Sequence, residues 1–270
     1  MTDVLAVIGA GGMGYAIARR LGCGKTVLLA DYNEETLASV AESLSEDGHH
    51  VESRRVDVAS PESVRGFAEY AASLGSVTQV AHTAGLSPSQ APAEAILAVD
   101  LVGVALVLQE FGEVVAPGGA GVVIASMAGH MFPPLAAEQE RALAHSPADE
   151  LLQLEFVSQL DNPGFAYGIA KQANHIRVRA ASAHWGRRRA RINSISPGVI
   201  STPMGQQELA SPVGDGMRSM IAMSATGRLG TADDIAAAAA FLLGPDATFI
   251  TGTDLLVDGG VVAAVKTQTR

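Results

Sequence analysis

Short apolar runs alternate with longer stretches of helical period along most of the chain. Runs rich in Val, Ile, Leu and Ala at Val4–Ile8, Thr26–Ala30, Val51–Val56, Val77–His82, Ala120–Ala125, Ala190–Ser196 and Asp254–Val257 predict strands. Several are apolar throughout instead of alternating, as expected when a parallel sheet is covered on both faces. Helical patterns lie between them, near Gly12–Arg20, Glu34–Ser45, Pro61–Ser73, Ala93–Val115, Tyr167–Trp185 and Thr231–Leu243. This βα repetition predicts the α/β class: a single doubly wound Rossmann-type domain over residues 1–270, with about seven parallel strands flanked by helices. The rhythm breaks between Met127 and Gly164. That stretch carries Pro133-Pro134 and amphipathic patterns near Leu135–Ala144 and Pro147–Leu160, and is expected to form an inserted helical flap.

Composition narrows the class of partner. With 48% hydrophobic residues in 270, the chain can bury a substantial core. A formal net charge of −10 argues against a nucleic-acid or anionic-membrane partner, which calls for a basic face. Cys23 is the one cysteine, so no internal disulfide can form. The chain enters an apolar strand with no basic leader, and no uninterrupted apolar run approaches a membrane span; the longest, Ile235–Leu243, is too short. A cytoplasmic protein is expected.

The first predicted strand ends in Gly9-Ala10-Gly11-Gly12-Met13-Gly14, and a helix follows at once. Glycines suit a tight turn whose backbone N–H groups approach a pyrophosphate, and the helix N-terminus adds donors and a favourable dipole. Asp31 ends the second strand 20 residues after Gly11. A carboxylate there can accept from the adenosine ribose hydroxyls and repels a 2′-phosphate, so NAD is expected as cofactor. The plainer reading is an Asp that starts a turn before Tyr32-Asn33.

Tyr167 and Lys171 stand four residues apart in a helical pattern and so share one face. An ammonium beside a phenol stabilises the phenolate, which suits the phenol to acid–base work. Ser126 follows the run Val122–Ala125 and falls at the C-terminal edge of the sheet, where open α/β folds bind ligands. Its hydroxyl can hold a substrate oxygen while Tyr167 exchanges the proton.

In order and spacing these motifs resemble the short-chain dehydrogenase/reductase family, from the first strand to Val257-Asp258-Gly259-Gly260. Gly9, Gly11, Gly12, Met13 and Gly14 match the family's glycine motif, in a copy one residue shorter than usual. Asp57-Val58 resembles the segment along the adenine, with Asp31 and Tyr32 at the ribose end. His82-Thr83-Ala84-Gly85 stands where Asn-Asn-Ala-Gly is usual. Ser126-Met127-Ala128-Gly129 and Tyr167-Gly168-Ile169-Ala170-Lys171 resemble the catalytic segments, and Arg191–Gly198 resembles the sixth strand and its turn. The resemblance implies an NAD-dependent oxidoreductase acting on a secondary alcohol or ketone, with Ser126, Tyr167 and Lys171 catalytic. It also implies that Thr83, Ala84, Gly85, Tyr167, Lys171, Pro197, Gly198, Ile200 and Thr202 help to hold the cofactor. Two departures stand out. Asp100 occupies the place of an asparagine that helps to hold a relay water, and a carboxylate cannot donate unless protonated. The path from Ser126 to Tyr167 is also far longer than usual, a layout similar to bacterial hydroxysteroid dehydrogenase/carbonyl reductases.

Other signals read as bland. The seven histidines show no metal-ligand spacing, so no metal is expected. His49-His50 reads as loop, and His82 as a packing or backbone residue. Arg187-Arg188-Arg189 reads as a solvated turn. Met131, Phe132, Pro133, Pro134 and Leu135 form either ordinary core or a substrate-pocket wall, and a wall would favour a bulky hydrophobic or cyclic substrate. Family subunits pair through the two long helices, here Ala93–Val115 and Tyr167–Trp185; the insert is expected to crowd that face and favour a homodimer over a homotetramer. The β-hydroxyacid dehydrogenases share the Met-Gly turn, but they leave Tyr167, Lys171 and the late strands unexplained. A non-catalytic NAD-binding redox sensor is the alternative from another class, favoured only by Asp100.

Overall fold

The computed structural model describes residues 2–268. Seven parallel strands form the sheet: β1 (Asp3–Ile8), β2 (Thr26–Asp31), β3 (His50–Arg55), β4 (Ser76–His82), β5 (Val115–Ile124), β6 (Arg191–Pro197) and β7 (Asp254–Val257). Their order is β3-β2-β1-β4-β5-β6-β7. The order reverses between β1 and β4, which opens a crevice at the C-terminal strand ends. β1 shows why the central strands read as continuous apolar runs. Val4, Ala6 and Ile8 enter the core on one face, while Leu5 and Val7 enter the core on the other.

One face carries α1 (Gly12–Leu21) and α2 (Glu34–Glu46), and the other carries α3 (Pro61–Leu74) and α4 (Ala93–Val114). α4 is long and apolar enough to cross a membrane by length and composition, contrary to the expectation that no segment qualified. Asp100 interrupts its apolar stretch, so no uninterrupted run is legible there in the sequence. In the fold 72% of that stretch is buried, the property of a core helix. Leu97–Gly103 within it is π-helical, with Asp100 at its centre; such bulges break the regular ladder and often sit at functional positions.

Residues 127–162 form the expected helical insert, and it is packed onto the fold. They form a single turn (Ala128–Met131), α5 (Ala137–His145), a 3₁₀ segment (Ala148–Gln153) and a short turn (Glu155–Ser158). Leu143, Leu151 and Val157 are fully buried in the same core as Leu97 and Leu101 of α4. α6 (Pro163–Arg187) follows. Its Arg177 ties the segment down by donating to the carbonyls of Leu143 (2.8 Å) and Ser146 (3.1 Å). α6 starts four residues before the predicted Tyr167, because Asn162 accepts from Phe165 N at 3.1 Å and Pro163 takes the first helical position.

After β6 the chain forms α7 (Pro203–Ala210), α8 (Gly214–Met223), α9 (Ala232–Leu243) and, past β7, α10 (Val261–Gln268). A two-strand ribbon joins Ile200–Ser201 to Gly230–Thr231. α9 packs beside α1, and the hydrophobic pattern had identified only α9 among these four helices.

Candidate active site

The turn after β1 is built for backbone proximity. Gly9 has φ 102°, and a Cβ there would collide with the backbone N of Ala84. A Cβ on Gly14 would collide with the carbonyl O of Gly9, so α1 can start only with glycine at that point. Thr83 Oγ1 donates to Gly9 O at 2.6 Å, and Thr83 N and Ala84 N donate to Ile8 O at 2.7 and 2.9 Å. These bonds clamp the turn to the end of β4. Gly11, by contrast, faces open space. The turn borders a cavity of about 700 Å³, large enough for a dinucleotide portion.

Asp31, Tyr32, Asp57, Val58, Thr83, Ala84, Gly85, Thr202 and the predicted glycines with Met13 all line this cavity. Asp31 already accepts two backbone bonds, from Ala10 N (2.7 Å) to Oδ2 and from Asn33 N (2.9 Å) to Oδ1. The turn-starting and ribose-binding readings are therefore compatible, since each carboxylate oxygen keeps a free lone pair. Val99 and Met204 also line the cavity and were not anticipated. Nor was Arg55. It pairs in register with Asp31, and its guanidinium lies 4.4 Å from the centre of the Tyr32 ring. Strand pairing alone could have pointed to it, since β3 neighbours β2.

Past Gly85 the cavity meets a buried charged group. Lys171 Nζ lies 3.1 Å from Asp100 Oδ2, with side-chain exposures of 5% and 0%. Leu86 N donates to Asp100 Oδ1 at 2.8 Å and fixes the carboxylate. With its amide nitrogen turned inward, Asn174 donates to the carbonyls of Asp100 (2.9 Å) and Ala170 (3.0 Å), joining α6 to the π-helical turn. The same ammonium lies 5.3 Å from the centre of the Tyr167 ring. Ser126, at the end of β5, accepts from Ala128 N at 3.1 Å, which holds its hydroxyl at the sheet edge.

These neighbours set the protonation states. Burial raises the Asp100 carboxyl, and Lys171 only partly offsets it. Burial draws Lys171 down, but Asp100 and Tyr167 outweigh it and leave the ammonium above its ordinary value. Burial likewise raises the Tyr167 phenol; Lys171 and the Ser126 hydroxyl pull it down, while Asp100 and Glu208 push it up, and the net shift is upward. The expected depression by Lys171 exists, but burial and the Asp100 charge outweigh it. His82, buried at the end of β4, is pushed down to about 3 by burial and then by Lys171, with Ile8 O pulling the other way. It is a neutral packing residue.

Three of the expected cofactor positions, Pro197, Gly198 and Ile200, fall elsewhere. Gly198 and Ile200 border a second cavity of about 230 Å³, shared with Arg228 and Asp258. Pro197 ends β6 and lines neither cavity. The turn at Gly198 is pressed against the backbone of Asp258, where a Cβ would come within 2.7 Å, and Ile200 then pairs with Gly230 in the ribbon. Phe132 lies against Gly168, beside Tyr167, and meets Phe165 edge-on with ring centres 5.7 Å apart. Leu135 packs on the core instead.

Comparison with known proteins agrees with this geometry. The family model described as short chain dehydrogenase matches residues 3–137, and that described as Enoyl-(Acyl carrier protein) reductase matches residues 151–262. The chain is 44% identical to short-chain dehydrogenase/reductase bsc3 of Alternaria brassicicola, over 99% of this chain and 98% of that one. It is 32% identical to D-threitol dehydrogenase of Mycolicibacterium smegmatis, over 93% of this chain and 89% of that one. Among solved structures, an actinorhodin polyketide ketoreductase variant with NADPH superposes with a TM-score of 0.76 at 23% identity, over 97% of both chains; that likeness concerns the fold alone.

Proposed function

The chain belongs to the short-chain dehydrogenase/reductase family, and we propose that it is an NAD-dependent oxidoreductase of secondary alcohols and ketones, working as one catalytic domain in the cytoplasm. An oxidoreductase role on alcohols or ketones follows from the family. The reading is carried by one observation: Tyr167 and Lys171 share a helix face, and Lys171 reaches Gly85, which lines the glycine-rich cavity. The residues fit a dinucleotide, since Gly9 and Gly14 leave no room for side chains and Gly11 opens onto the cavity. Gly9–Gly14, Asp31, Asp57-Val58, Thr83–Gly85 and Thr202 would hold it. When bound, the nicotinamide would accept or return a hydride. The chain supplies the proton chemistry. Ser126 orients the substrate oxygen, and Tyr167 takes or gives the proton at that oxygen. Lys171 stabilises the phenolate, and Asp100 neutralises Lys171 when the phenol is protonated.

NAD is favoured over NADP because Asp31 places a carboxylate where a 2′-phosphate would lie, at a Coulomb cost NAD avoids. Phe132, packed on Gly168 of the Tyr167 helix, and its ring partner Phe165 support a bulky apolar or cyclic substrate over a small polyol such as the threitol named for the relative. The packed insert covers part of α4 and α6 with Leu143, Leu151 and Val157, which supports a homodimer over a homotetramer. Turnover with NAD and NADP on a panel of cyclic ketones, polyols and keto acids, with light scattering for assembly, tests these points. No turnover of any alcohol or ketone would favour the redox-sensor alternative.

A further inference from the structure

At the β7 edge of the sheet, three donor side chains from three separate elements converge outside the proton-transfer group. His130 comes from the turn Ala128–Met131, His175 from α6 and Asp254 from the first position of β7. His130 Nε2 lies 2.7 Å from Asp254 Oδ2, and His175 Nε2 lies 3.5 Å from Asp254 Oδ1. One ligand atom from each residue can be chosen so that all three lie within 4.8 Å of one another. The two rings are tilted at 42° with centres 4.6 Å apart. Gly129 permits this approach, since a Cβ there would come within 2.7 Å of His175 Cε1.

From this convergence we infer a site for a divalent transition-metal ion, Zn²⁺ by donor type, held by His130, His175 and Asp254. Two imidazoles and a carboxylate are a donor set that zinc accepts, with a fourth position left to water. Zn–N and Zn–O bonds of about 2.0–2.2 Å put tetrahedral neighbours roughly 3.3–3.6 Å apart. The spacing from His175 to Asp254 is already 3.5 Å. That spacing is to Oδ1. His130 Nε2 lies against the other oxygen, Oδ2, at 2.7 Å, which must open by less than about 1 Å for the carboxylate to span both imidazoles, and His130 sits on a single turn with one face in solvent. Side-chain exposures of 26%, 13% and 11% for His130, His175 and Asp254 leave water access on one side. An outer layer is also in place. Ser194 Oγ and Ser196 Oγ donate to Asp254 Oδ1 at 2.6 and 3.0 Å, and hydroxyls of this kind orient a ligating carboxylate. Ser196 Oγ also lies 2.8 Å from His175 Nε2, the contact that the ion would replace. His130 follows Ser126 by four residues and His175 follows Lys171 by four, so a bound ion would pin the serine turn to α6 and to the sheet edge.

The test uses the full chain, stripped with chelator and dialysed. Zn²⁺ binding is measured by equilibrium dialysis and Co²⁺ binding by its visible absorption, with melting temperature followed in parallel. The expected result is one equivalent bound at micromolar free metal, a four-coordinate Co²⁺ spectrum displaced by Zn²⁺, and a raised melting temperature. His175→Ala and Asp254→Asn should each weaken binding by at least the ~100-fold that loss of a supporting partner can cause, and Ser194→Ala by roughly 10-fold. His130→Ala, on the exposed turn, serves if a buried variant fails to fold. A His49→Ala, His50→Ala double variant should bind as the wild type does. The site is overturned if the wild type binds no Zn²⁺ at micromolar levels. It is equally overturned if binding survives His130→Ala and His175→Ala, or is lost only with His49 and His50; the cluster is then a hydrogen-bonded clamp.

Discussion

Asp100→Asn restores the side chain usual in the family and removes one buried charge, so its effect reports how the charge of Lys171 is shared. At an effective dielectric of about 20, opposite charges at the 3.1 Å spacing of Lys171 and Asp100 attract by about 5 kcal/mol. The same ammonium lies 5.3 Å from the centre of the Tyr167 ring, so the carboxylate and a phenolate compete for it. The charge of Asp100 repels the phenolate as well. Burial is the main reason that Tyr167 stands above its ordinary value, and the Asp100 charge adds to it. Alcohol oxidation requires the phenolate as base, so in the wild type its rate should climb with pH on the alkaline side. Removing the carboxylate lifts both the competition and the repulsion, and the rising limb should move to lower pH. Lys171 also loses its counter-ion, and breaking a buried pair from one side costs roughly 3–5 kcal/mol, so the melting temperature should fall. The assay is kcat/KM for alcohol oxidation against pH in both proteins, with thermal unfolding as the companion measurement. An unmoved limb, or one displaced upward, refutes the charge-sharing argument. A collapse of activity in a folded variant would show that the carboxylate itself is required.

Four further outcomes follow from the same geometry. Tyr167→Phe should reduce turnover by about 100-fold or more while NADH affinity stays near that of the wild type, because only the transferable proton is lost; fluorescence titration beside steady-state kinetics checks both. Gly14→Ala should abolish NADH binding and lower the melting temperature, since its Cβ would meet the Gly9 carbonyl; wild-type binding would contradict the tight turn. NADH should bind more tightly than NADPH, and Asp31→Ala should narrow the gap by letting Arg55 meet a 2′-phosphate; equal affinities in the wild type would count against Asp31 as the discriminator. Phe132→Ala should raise KM for a cyclic hydrophobic ketone more than for a small polyol, and an equal change for both would show that Phe132 does not wall the substrate.

The sheet was legible in the sequence because its central strands are buried on both faces, and burial of that kind leaves unbroken apolar runs such as Val4–Ile8 and Val27–Ala30. Of the helices after β6, α7, α8 and α10 were not. α7 and α8 carry few buried side chains, so Pro203–Ala210 and Gly214–Met223 show little apolar periodicity to read. Local turns announced themselves through residue type: Gly9 and Gly14 fail sterically with any other side chain, and that constraint is written in the letters. Contacts between distant segments were not so written. Gly198 and Ile200 match a motif, yet the close approach of Gly198 to Asp258 turns them to a different cavity. His130, His175 and Asp254 show no ligand spacing because each comes from a different element, and only the stacking of a turn, a helix and an edge strand brings them together. Asp100 lies between these cases. Its identity stands out in the sequence, but its consequence depends on Leu86 N, which fixes one carboxylate oxygen and leaves the other facing Lys171. The backbone bond makes the carboxylate a fixed counter-ion instead of a mobile one. A fixed counter-ion cannot swing away when the phenol ionises, so the competition for Lys171 persists through the reaction, and the pH profile is where that rigidity becomes measurable.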